Sequence, residues 1–196
     1  MKKYSQYDLI GEEMIRLNLQ KQPRNFLERL EDLFFNAVFS KYNFSLKIPN
    51  HLYFRAKILC EDVKDLSGYN FEVQDLIYLL YRSFLHSVKE IDDPLSIYNL
   101  VFVRINSKPQ VKKSGNFIAL NYREEAIQYV NISLKKKYVL RGEVLLRDLE
   151  NIVPGHSLTV ETILETIFLD FIKEYQNGNS RNIINELINK LDEIEE

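Results

Sequence analysis

The chain repeats itself at a nearly constant spacing, and that spacing limits the folds open to it. Asn43-Phe44-Ser45-Leu46-Lys47 returns 88 positions later as Asn131-Ile132-Ser133-Leu134-Lys135. Residues 54–63 are echoed by 140–149 at an offset of 86, and residues 71–77 by 158–164 at 87. Upstream, Ile15-Arg16-Leu17-Asn18 matches Val103-Arg104-Ile105-Asn106, again at 88. Four matches in one order, drifting by a residue or two, are what loop insertions in a duplicated unit produce. Two copies are too few for a solenoid. The apolar faces of the two halves are therefore expected to pack on each other in one compact domain, a size that 196 residues can fill with a real core. The expected boundaries are 1–88 for the first copy, 89–178 for the second and 179–196 for a C-terminal helix. The fold class that follows is α+β and helix-rich. It is an internally duplicated unit of short strands plus helices with pseudo-twofold packing and an extra C-terminal amphipathic helix.

Periodicity assigns the elements. Glu13–Leu19 (EMIRLNL) alternates apolar and polar residues, which predicts a half-buried strand. Leu100–Ile105 (LVFVRI) predicts a more buried one. Pro23 opens a predicted amphipathic helix to about Ser40. In the second half the matching stretch holds Lys112-Lys113-Ser114-Gly115-Asn116, a turn signature that predicts a hairpin instead. Helices are predicted over about 55–66 and 142–153, with a strand across Tyr138–Leu146 as the competing reading because Gly142 weakens a helix start. Ser67-Gly68 and Pro154-Gly155 close them.

Two longer helices follow, apolar over more than half their circumference and so destined for the core. Thr159 is placed to cap the second and Asn70 the first, with Leu158 and Ile163 spaced as a hydrophobic staple. Ser180 can cap a last helix, striped by Ile183, Ile184, Leu187, Ile188, Leu191 and Ile194.

Chemistry is harder to find. Cys60 has no partner for an internal disulfide, and within Ile58-Leu59-Cys60 it reads as a small buried hydrophobe. His51, His86 and His156 offer no metal-ligand spacing, so no zinc site is expected. No glycine-rich phosphate loop and no nucleophile elbow occur, and no cofactor is expected. No constellation of nucleophile, base and orienting group is visible, which argues against an enzyme. Arg55 with Asp62 and Arg141 with Asp148 recur at matched positions seven residues apart, and read as duplicated structural pairs. The opening MKKYSQYDLI carries no apolar run suited to a secretory signal, and no apolar stretch approaches the ~20 residues of a membrane span. The expected location is the cytoplasm. The weight of Ile, Asn and Lys suggests a bacterial or phage genome.

Charge is uneven. The total is −2, but residues 101–141 hold nine basic and two acidic side chains, whereas 142–196 hold four and twelve. Lys112, Lys113, Arg123, Lys135, Lys136, Lys137 and Arg141 are the candidate contacts for nucleic acid or a partner. The leading expectation is a non-enzymatic interaction protein, an adaptor, inhibitor or regulator acting by protein–protein binding. It rests on the missing catalytic signals and on 24 Tyr and Phe residues. A nucleic-acid-associated protein using the basic segment 104–141 is the alternative, and a homodimer is a further option.

Overall fold

The computed structural model describes residues 2–19, 41–90, 96, 99, 126–176, 178 and 180–195. In chain order the elements are α1 (Leu9–Leu19), β1 (Lys41–Pro49), α2 (Asn50–Ser67), α3 (Val73–Ser87), one 3₁₀ turn (Val88–Glu90), β2 (Ile127–Lys135), α4 (Lys136–Glu150), α5 (Val160–Gln176) and α6 (Ser180–Glu195). The class is α+β and rich in helix. A strand followed by two helices occurs twice in this order. The predicted elements at 23–40, 100–105 and 112–116 lie outside the described residues.

β1 and β2 pair antiparallel, from Lys41 opposite Lys135 to Pro49 opposite Ile127. Period-2 alternation sends Phe44, Leu46 and Ile48 of β1 and Val130, Ile132 and Leu134 of β2 into the core. The other face of the ribbon stays in solvent. α5 packs against β1 and α3 against β2, while α3 and α5 also meet each other. α2 reaches α5 and α4 reaches α3. Every such contact thus has a counterpart with the two strand–helix–helix segments exchanged.

Two apolar helices carry the centre, as their periodicity predicts. Leu76 and Ile77 of α3 and Ile163, Leu164 and Phe168 of α5 are fully buried. The start of α5 is capped as expected: Thr162 N–H donates to Thr159 Oγ1 at 3.3 Å and Thr159 N–H to Thr162 Oγ1 at 2.7 Å. The start of α3 is not capped by Asn70. Its first turn is closed two residues later, where the Asp75 carboxylate accepts the Glu72 N–H at 3.0 Å.

Residues 138–146 are helical, so the competing strand is excluded, and both α2 and α4 begin five or six residues earlier than the sequence suggests. His51 accordingly sits in the first turn of α2. Gly68 ends α2 in the left-handed conformation at φ 75°, where its N–H bonds the Lys64 carbonyl at 2.8 Å. Gly142 serves a different need. A Cβ there would lie 2.0 Å from the Tyr81 hydroxyl oxygen and 3.1 Å from Val160 Cγ2, so α4 crosses α3 and α5 closely only because that side chain is missing.

The predicted strand at Glu13–Leu19 is instead helix α1. Its alternation is not used: Met14, Ile15 and Leu17 are exposed, and Leu9 and Ile10 enter the core. What holds this helix comes from far along the chain. Glu143, only 1% exposed, accepts the Ile10 N–H at 2.9 Å and the Ser5 hydroxyl. A carboxylate therefore satisfies a free N–H at the positive end of α1. Lys136 adds an ion pair to Glu13 at 2.5 Å.

Candidate functional site

The ribbon's outer face is built by the same alternation that fills the core. Lys41, Asn43, Ser45 and Lys47 of β1 and Ile127, Tyr129, Asn131, Ser133 and Lys135 of β2 all point outward and are exposed. Asn43 lies opposite Ser133, and Ser45 opposite Asn131. These four make a polar tetrad with local twofold symmetry, and the Ser133 hydroxyl donates to Asn43 Oδ1 across the strands. Beyond the tetrad, Lys41 faces Lys135 at one end and Lys47 faces Tyr129 at the other. Neither strand carries an acidic residue. Like charges directly opposite across a ladder are destabilising, which makes the Lys41–Lys135 end a ready place for an anion.

Two backbone groups on the free edge of β1 are engaged. The Tyr7 hydroxyl and Gln6 Nε2, at 2.5 and 2.7 Å, donate to the Asn43 carbonyl. The Lys47 N–H donates to Glu165 at 2.8 Å. Burial raises the Glu165 pKa against the pull of that hydrogen bond.

The sequence-derived candidates scatter. Lys112, Lys113 and Arg123 lie outside the described residues. Lys135 belongs to the ribbon face. Lys136 is buried in its ion pair with Glu13 and is not free to meet a ligand. Lys137 and Arg141 line a cavity of about 460 Å³ at the C-terminal end of α3.

The two matched pairs have unlike surroundings. Arg55 and Asp62 are half-buried against Tyr175 of α5. Burial first, then the Asp62 carboxylate, raises the Tyr175 pKa. Asp148, by contrast, is exposed, and Arg141 faces the cavity without it.

His156 is buried, with Nε2 2.9 Å from the Leu146 carbonyl and Nδ1 accepting the Leu158 N–H at 3.2 Å. Cys60 is buried among hydrophobes, and burial pushes its thiol pKa up to about 12. Among the described residues no cluster of three or more His, Cys, Asp or Glu side chains could hold a metal, and no helix is long and apolar enough to cross a membrane.

Sequence reasoning missed the ribbon as a surface. The signal was present in Asn-x-Ser-x-Lys, whose polar positions alternate with apolar ones in both strands. No protein-family model, no curated protein and no solved structure matches the chain.

Proposed function

We propose that this protein is a non-enzymatic DNA-binding regulator that lays its two-stranded ribbon into the major groove of a duplex. The observation that carries this is the outer face of the ribbon: an Asn–Ser tetrad flanked by Lys41, Lys47 and Lys135, with no carboxylate on either strand. The major groove, about 12 Å wide, admits a two-stranded β-ribbon, and few other protein elements fit there. Asparagine pairs with adenine, serine adapts to several base edges, and lysine meets guanine or phosphate. The two asparagines run in opposite directions about the centre of the tetrad, so the favoured site is a short inverted repeat. Its flanks differ, because Lys41 meets one side where Tyr129 meets the other.

Duplication of a strand–helix–helix unit accounts for the exchangeable contacts. Ser45 and Asn131, opposite each other on the ribbon, are 86 positions apart, and so are the starts of α2 and α4. Leu52, Ala56, Cys60 and Val63 are buried at the same offset from Tyr138, Gly142, Leu146 and Leu149. The offset of 88 that relates the two Asn-x-Ser-x-Lys runs is therefore two residues, one full pleat, out of step with the scaffold. A cytoplasmic regulator from a bacterium or phage suits this reading. A protein partner is the second reading, favoured by Phe54 and Ile58, exposed one turn apart on α2.

The test is selection from a random-sequence duplex pool, followed by fluorescence anisotropy against salt. An enriched inverted repeat is expected. Lys41→Gln and Lys135→Gln should each lower affinity evenly across sequences and reduce the salt slope by about 1. Asn43→Ala or Asn131→Ala should flatten base preference, by about 1–3 kcal/mol at one half-site. No enrichment, or ribbon variants that bind as the wild type does, overturns the reading.

A further inference from the structure

The cavity at the end of α3 gathers positive charge from four separate segments. Arg82 comes from α3, Lys89 from the 3₁₀ turn, Lys137 and Arg141 from α4, and Lys190 from α6, with His86 beside them. Among the described residues no carboxylate lines it, and no described carboxylate lies within ion-pair distance of those five cations. Glu90 sits 3.7 Å from His86 Nδ1, and Glu174 and Glu186 line a neighbouring cavity that shares Lys190.

Part of this charge has an ordinary cause. Basic side chains at a helix C-terminus complement the dipole, which accounts for Arg82, His86 and Lys89 at the end of α3. Lys137 and Arg141 are another matter. They stand in the first two turns of α4, whose first turn holds no acid and whose N-cap is Lys135, so the dipole opposes them. The corresponding place in the other half shows the contrast. Arg55 there shares the surroundings of Tyr175 with the Asp62 carboxylate, whereas Arg141 meets more cations. Tyr138 on the cavity wall registers the same field. Burial works to raise its pKa, but the hydrogen bond from Tyr78, the Lys137 ammonium and the Arg82 guanidinium together lower it.

We propose that this cavity binds a compact polyphosphate group, such as that of a nucleoside triphosphate. Its volume is far more than one phosphate needs, and lies within the usual range for small-ligand sites. Arg82 and Arg141 supply forked donors suited to phosphate oxygens, and Lys89, Lys137 and Lys190 add point charges. Ser83 and Ser87 bring hydroxyls to the same wall, where Lys137 Nζ stands over the Tyr138 ring, 4.8 Å from its centroid. This site is separate from the ribbon and does not rest on the DNA-binding reading.

The probes are tripolyphosphate, ATP and a 5′-triphosphorylated oligonucleotide, each followed by calorimetry at constant ionic strength with sulfate as the control. Tripolyphosphate and ATP are expected to bind at submillimolar concentration and sulfate far more weakly. Arg82→Gln with Arg141→Gln should weaken both by at least tenfold, while Lys57→Gln with Lys64→Gln, exposed on α2 and off the cavity wall, leaves them unchanged. If the oligonucleotide binds here and ATP does not, the polyphosphate belongs to a nucleic-acid end and the free-nucleotide source is overturned.

A second measurement does not depend on any variant folding. Amide resonances of Ser83, Ser87, Lys137 and Arg141 in the wild-type protein should shift on adding tripolyphosphate. Shifts confined to the ribbon, or equal binding of sulfate and tripolyphosphate, overturn the proposal.

Discussion

Two residues illustrate how locally the packing is decided. Tyr81 is fully buried, and its hydroxyl donates to the Tyr138 carbonyl at 3.3 Å, in the space a side chain at position 142 would take. Gly142→Ala should therefore destabilise the protein by about 1–3 kcal/mol through overpacking, despite the better helix propensity of alanine. Tyr81→Phe should cost about 1 kcal/mol for the lost hydrogen bond. The double variant should recover most of the alanine penalty, because the next atom of Tyr81 lies 3.4 Å from the added carbon. Urea titration of all four proteins closes the cycle, and strict additivity would show that the clash is relieved elsewhere. At this scale the sequence was partly legible. Cys60 read correctly as a buried hydrophobe from its neighbours alone. Gly142 read as a weak helix start, because nothing in the local sequence announces a tyrosine hydroxyl arriving from 61 positions away.

Elements made of long apolar periods were readable, and those held by distant polar groups were not. α3 and α5 are specified by their own sequence, since the stripe that makes them amphipathic is the stripe they bury. α1 is different. Its seven-residue alternation mimics a strand, and the group that ends its free N–H shortage is Glu143 on another helix. The segment before it is tied down the same way: Lys2 bonds Glu150 and the His156 carbonyl, and the Val160 N–H donates to the Tyr4 carbonyl at 2.8 Å.

This tether should be acid-sensitive. The Lys2 ammonium, then the Gly155 N–H, holds the Glu150 carboxyl below its ordinary value of 4.5. A depressed acid contributes above its unfolded value and loses that contribution as pH falls through the folded one. Amide exchange at Val160 should accordingly speed up as pH drops below about 4.5, after correction for intrinsic rates. Glu150→Gln should exchange faster already at neutral pH and show no further acid step. A step that persists in this variant would place the titrating group elsewhere.

At the scale of the whole molecule, the described residues of the two halves share one core. The inward face of β1 is completed by β2 across the ribbon, and the buried stripe of α3 is completed by α5 and α4 from the other side. A single two-stranded pair is marginal in water without helices beneath it, and here the helices beneath each strand come chiefly from the other segment. Burial of α3 against α5 was foreseeable in outline, because two helices apolar over more than half their circumference must bury their faces somewhere. The register was not foreseeable, since the best sequence match, at 88, is a pleat away from the pairing that the helix starts obey.

Fragments 1–100 and 101–196, expressed apart, should each be largely unstructured or self-associated by circular dichroism and size exclusion. Mixed, they should recover helix content together and elute as a one-to-one complex. The ring resonances of Tyr81 should shift only on mixing, because its buried surroundings include Gly142 and Val160 of the second fragment. A fragment that folds as a stable monomer would mean that the exchangeable contacts are incidental and that one half nucleates alone. A fragment that dimerises through its own strand would instead reproduce the paired ribbon from a single copy, the behaviour expected if two identical units preceded the present unequal ones.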